Sequence, residues 1–166
     1  MQQKLWAGVL AMILSVAVNA QDMKNFHLYH PEQDADSAIK AAVKQAKQEG
    51  KHVLIQAGGN WCIWCARFND FVASDAHLDS AMKAAYVVCH LNYSQENGNA
   101  KVFEKYGFPQ RFGFPVFLVL DNKGNLLHTQ NSAYLEEGKS YGRSKVDGFF
   151  TDWSPAALDP KQYQQH

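Results

Sequence analysis

The sequence carries no surplus of charge of either sign: 16 basic side chains balance 16 acidic ones, and no basic run or stripe interrupts the balance. A surface of that kind offers no electrostatic footprint to nucleic acid or to an anionic membrane, so neither is expected as a partner. Cysteine is scarce as well. Three thiols in 166 residues do not make a disulfide scaffold, which turns attention from their structural use to their reactivity. There is no second Cys-x-x-Cys and no His-x-x-x-His pair, so a structural zinc site would lack two of its four ligands. The apolar stretch at 5–18 is 14 residues long, short of the roughly 20 that cross a bilayer core. Internal repeats and low-complexity tracts are also missing, which leaves one domain as the default.

That apolar stretch has a different reading. Lys4 gives a short positive start, 5–18 is uncharged, and Val18-Asn19-Ala20 supplies the small residues that a signal peptidase accepts. A signal peptide over 1–20, cleaved after Ala20, is expected, with an uncleaved anchor as the alternative. The compartment is then periplasmic or extracellular, and oxidising.

Along the remainder, 26–29 is compatible with a short strand. Asp34 or Asp36 offers a helix cap, Ile39, Ala42, Val43 and Ala46 recur at helical spacing, and Gly50 stops the pattern. "HVLIQA" at 52–57 is short and mostly apolar, as in a strand covered on both faces, and runs into Gly58-Gly59. Trp64, Phe68, Phe71 and Val72 share a helical face, and Ser74 or Asp75 can cap the helix after it. Residues 86–93 alternate as a strand, with Val87, Cys89 and Leu91 on one side and Val88, His90 and Asn92 on the other. Val102, Phe103 and Tyr106 mark a short helix closed by Gly107. "VFLVLD", the turn "NKGN" and "LLHTQ" form a hairpin. Ser144 and Asp147 resemble a capping pair for a last helix through Val146, Phe149, Phe150 and Trp153, after which 154–166 reads as a loose tail. The expected order is βαβαβαββα.

The chemistry concentrates in "GGNWCIWCARF" at 58–68. On the first turn of a helix, residues three apart share a face, so Cys62 and Cys65 can approach disulfide distance. Unpaired N–H groups and the positive end of the helix dipole favour a thiolate there. Cys62, nearer that end, is the expected nucleophile, and Cys65 the resolving thiol that releases a mixed disulfide. Copper(I) held by two soft thiolates and an idle structural disulfide are the competing uses of the pair. No metal is expected. Cys89 reads as a small buried hydrophobe.

"NWCIWC" after a buried strand, followed by "GFPVFLVLDNKGNLL", resembles the thioredoxin superfamily over 35–153. The likeness is strongest to secreted single-domain thioredoxin-like proteins and to the thioredoxin-like domain of periplasmic electron-transfer reductases, which share the "F…SD" segment found here at 71–75. The resemblance implies an α/β thioredoxin-like fold, a central mixed β-sheet flanked by helices. It implies that Trp61 packs beside the active site, that Pro115 follows a cis bond, and that the backbone of Phe114 meets an extended substrate segment. It also exposes departures. Gln56 stands where thioredoxins carry a buried aspartate that assists proton transfer, and His90 where they carry a lysine. Gln56 cannot act as a base. His90 can move a proton if it faces the pair, and is otherwise an ordinary strand histidine. Ile63-Trp64 replaces the Gly-Pro of cytosolic thioredoxins, a dipeptide that tunes potential in the family.

The sequence therefore predicts an exported thiol-disulfide oxidoreductase that acts on protein disulfides or thiols and leans towards reduction. It needs no cofactor beyond the Cys62–Cys65 disulfide, and it is recycled by a membrane redox partner. A thiol-dependent copper chaperone or a non-catalytic binding module is the alternative.

Overall fold

The computed structural model describes residues 23–164. The expected signal peptide at 1–20 lies outside the described residues. The first long element is helix α1, Ala35–Glu49. Its start is fixed by Asp34, whose carboxylate accepts the Ser37 N–H at 2.8 Å, and its end by Gly50, which takes the left-handed conformation at φ 67° and returns its N–H to Ala46. Strand β1, His52–Gly58, is buried along its whole length. Helix α2, Ile63–Ser74, follows it, and α3, Ala76–Ala85, begins one residue later. Asp75 makes that break, accepting from the N–H groups of His77 and Leu78.

Strand β2, Tyr86–Asn92, leads to the short helix α4, Ala100–Lys105, then to β3, Val116–Leu120, and β4, Leu126–Asn131. The sheet order is β2-β1-β3-β4, with β1 and β2 parallel and the other pairings antiparallel. This is the mixed central sheet that was expected. Side chains on alternate positions go to opposite layers. Val53, Ile55, Ala57, Val87, Cys89, Leu91, Val116, Leu118 and Leu120 pack with α1 and α4. Leu54, Phe117 and Val119 pack with α2, α3 and the last helix, α5, Arg143–Asp152.

Four local expectations are corrected. Residues 26–29 are not a strand. The Tyr29 N–H and C=O are instead bonded to the side-chain amide of Asn60, at 3.0 and 2.8 Å, so a side chain stands in for a neighbouring strand. The element order is accordingly αβααβαββ, then a small ribbon of β5, Glu136–Glu137, and β6, Ser140–Tyr141, and finally α5. Ser144 and Asp147 do not cap α5. Gly142 occupies the cap position, and Asp147 pairs with His77 of α3 at 2.7 Å. The described part of the tail contains a 3-10 turn at Pro160–Tyr163, folded back by a bond from the Tyr163 hydroxyl to the Ala157 carbonyl.

Candidate active site

Cys62 and Cys65 form a disulfide with Cα atoms 5.2 Å apart. Cys62 is the N-cap of α2, and its Sγ accepts the N–H of Cys65 at 3.1 Å. Its carbonyl receives the N–H groups of Cys65 and Ala66. The outer sulfur therefore occupies the place usually taken by a serine or aspartate oxygen, where free N–H groups and the helix dipole favour negative charge. Once the disulfide is reduced, this arrangement lowers the cost of a thiolate at Cys62.

The pair is well covered. Cys62 is 3% exposed and Cys65 fully buried, in a cluster with Phe26, Tyr29 and Ala66, onto which Met23, Leu28, Trp64 and Phe114 also pack. Trp61 is the outward-facing group beside it, 56% exposed. Its indole N–H donates to the Tyr93 carbonyl at 2.8 Å, and its ring meets Phe114 edge-on at 5.6 Å. Phe114 stacks on Tyr93 at 4.7 Å, and the Phe114–Pro115 bond is cis. Phe114 thus links Trp61, the neighbour of Cys62, to Pro115 and to the cluster around the disulfide.

Between the cysteines, Trp64 does not project freely. It is half-buried, edge-on to Tyr141 at 5.8 Å, with the Arg67 guanidinium 4.8 Å from its ring centre. Its carbonyl accepts from the Tyr141 hydroxyl at 3.0 Å. Ile63 is partly exposed. The two proton-path positions separate. Gln56 is buried behind the pair, with its amide nitrogen 3.0 Å from the Tyr29 hydroxyl and 3.4 Å from the Cys65 carbonyl. His90 sits opposite Gln56 in the β1–β2 register, and its ring meets Tyr29 edge-on at 5.5 Å. Its link to the cysteines runs through that ring. Burial, assisted by His30, holds the His90 pKa below the ordinary histidine value. Cys89 is buried and free on the α1 side of the sheet, and burial pushes its thiol up to about 11.

Sequence reasoning missed Tyr29 and Asn60. Nothing in their local pattern marks them, because Asn60 bonds Tyr29 across 31 positions. The glycine pair carried a readable signal. A Cβ on Gly58 would stand 2.8 Å from the Tyr29 hydroxyl and closer still to Cys65 Sγ, and one on Gly59 would stand 2.8 Å from the Tyr93 carbonyl and closer to the Trp61 ring. Both positions lack side chains because the site occupies that space.

Residues 34–122 match the thioredoxin-like family. The chain belongs to that family. A curated relative, the thiol:disulfide interchange protein DsbD of Colwellia psychrerythraea, is 28% identical over 95 residues, which is 57% of this chain and 15% of the relative. The chain thus corresponds to a small part of that longer protein. Among solved structures, the disulphide isomerase of Xylella fastidiosa Temecula1 superposes with a TM-score of 0.65 at 22% identity, covering 75% of this chain and 95% of that one. At that identity the likeness speaks for the thioredoxin-like fold.

Proposed function

We propose that the protein is a thiol-disulfide oxidoreductase that exchanges electrons with protein disulfides or thiols through Cys62 and Cys65. It works as a reductase in a periplasmic or extracellular setting, and a dithiol on a membrane partner reloads it. The observation that carries this reading is the disulfide closing the first turn of α2, with the outer sulfur on the cap N–H.

In the reduced protein the Cys62 thiolate attacks one sulfur of a substrate disulfide, and the first substrate sulfur leaves with the electron pair. Cys65 gives up its proton and attacks Cys62 Sγ. The mixed disulfide breaks, the second substrate thiolate departs, and the Cys62–Cys65 bond is restored. Two electrons have passed to the substrate, and no separate cofactor carries them. Trp61, next to Cys62 in the chain, and Phe114, which packs on the cluster around the disulfide, are the groups taken to meet an extended stretch of substrate backbone.

The test is reduction of insulin by dithiothreitol. Wild-type protein accelerates it, and Cys62→Ser removes the acceleration. Equal activity in the variant refutes the proposal, and copper(I) binding that needs both cysteines without turnover favours a metal-holding role. Direction is read from equilibration with glutathione. A potential near about −270 mV fits a reductase, and one near about −120 mV an oxidase.

A further inference from the structure

We propose that Tyr29 is the hydrogen-bond donor that stabilises the buried Cys65 thiolate, the task of holding a proton beside the resolving sulfur having passed to a residue outside the sheet and its helices. This deepens the exchange reading above and rests on it.

Gln56 defines the orientation. The Cys65 carbonyl can only accept, so the amide edge facing it and the Tyr29 oxygen is the NH2 edge, and Gln56 donates to Tyr29 at 3.0 Å. With a lone pair of the phenol oxygen occupied by that donor, the phenol's own proton is directed elsewhere. The sulfur of Cys65 is at hand, because the point where a Gly58 Cβ would sit is 2.8 Å from Tyr29 Oη and closer still to Cys65 Sγ. The two atoms therefore lie less than twice that distance apart in the oxidised protein, with no side chain on Gly58 to fill the space between them. Tyr29 is 2% exposed and cannot swing away. Asn60 holds its N–H and C=O, and Asn97 donates to the Pro31 carbonyl two residues on at 2.9 Å.

Burial keeps the phenol protonated well above its ordinary range, so it serves as a donor and not as a base. In the resolving step Cys65 loses its proton to solvent, Tyr29 keeps its own and shares it with the sulfur, and the charge moves off as the new S–S bond forms. The titratable groups facing this pair are Cys62 on α2, His90 on β2 with His30 beside it, and Tyr141 on β6.

The experiment follows the carbon-13 Cβ resonance of Cys65 against pH in Cys62→Ser protein, which separates it from Cys89 and needs no substrate. His90 is followed through its own ring resonance. Adding Tyr29→Phe, which keeps the ring, raises the Cys65 pKa by about 1 to 2 units, the size expected for one buried bond to a charged acceptor. Gln56→Met, which removes the donor to the phenol, raises it by less. An unchanged or lowered Cys65 pKa in Tyr29→Phe overturns the proposal, and if that variant does not fold, an unchanged value in Gln56→Met does so. Because the pKa is read without substrate, a failed insulin assay with a raised pKa counts against the exchange activity and not against Tyr29.

Discussion

Replacing Gly58 with alanine is the sharpest test of how tightly the site is built. The added methyl would sit 2.8 Å from the Tyr29 oxygen and 3.2 Å from its Cζ, and closer still to Cys65 Sγ, where carbon contacts prefer about 3.5–4.0 Å. Neither neighbour yields cheaply. Cys65 is tied by its disulfide and by the first turn of α2, and Tyr29 is tied by Gln56 and by both bonds to Asn60. Overpacking of this kind costs about 1–3 kcal/mol, and parting Gln56 from Tyr29 leaves a buried donor unpaired for about 1–3 kcal/mol more. A total near about 4 kcal/mol lowers the melting midpoint by about 15 °C for a domain of this size. The control is the same substitution at Gly148 in α5, where the added methyl meets nothing within 4 Å apart from its own stretch of helix backbone. Helix propensity there gains up to about 1 kcal/mol, so the midpoint holds or rises slightly. Both are read by circular-dichroism melts of the oxidised protein. If Gly58→Ala melts together with wild type, the steric account of the glycine pair is wrong.

Two further outcomes follow from the packing around the site. Tyr141→Phe removes the bond to the Trp64 carbonyl while keeping the ring against Phe68, and costs about 1 kcal/mol of stability, measured by urea unfolding; a neutral result would mean that carbonyl finds another donor. For His90, burial holds the folded pKa below 6.5, so its share of stability is complete above pH 6.5 and is lost as pH falls towards the depressed value. Urea midpoints on either side of pH 6.5 show the decline, and His90→Gln flattens it; an identical slope in the variant sinks the assignment.

What could be read from the sequence was what local physics encodes. Helix α1 announced itself through a capping aspartate at 34 or 36, of which the structure uses Asp34, the spacing of Ile39, Ala42 and Ala46, and Gly50, all of which act within a few residues. Strands β1 and β3 were visible as apolar runs because both of their faces are covered. The place of Cys62 at a helix start followed from strand, glycine pair and helix in order, and the structure made it the cap. The errors lie where a distant partner decides. Asp147 looked like a capping residue until His77, 70 positions away, took its carboxylate. The 26–29 segment resembled a strand because its backbone does seek partners, but those partners belong to one asparagine side chain. The β5–β6 ribbon, only two residues a side, gave no periodicity, and yet it delivers Tyr141 to the Trp64 carbonyl.

The asparagine-held segment also bears on how such proteins diverge. Residues 34–122 are the span shared with the family, and Phe26 and Tyr29, which wall the disulfide, precede it. Substitutions ahead of residue 34 can therefore retune the dithiol without altering the sheet and helices by which relatives are recognised. A shortened chain that begins at residue 34 keeps every strand and α-helix described and loses one wall of its redox centre. In this protein one wall of the redox centre lies ahead of the stretch shared with the family and is tied to it through Asn60.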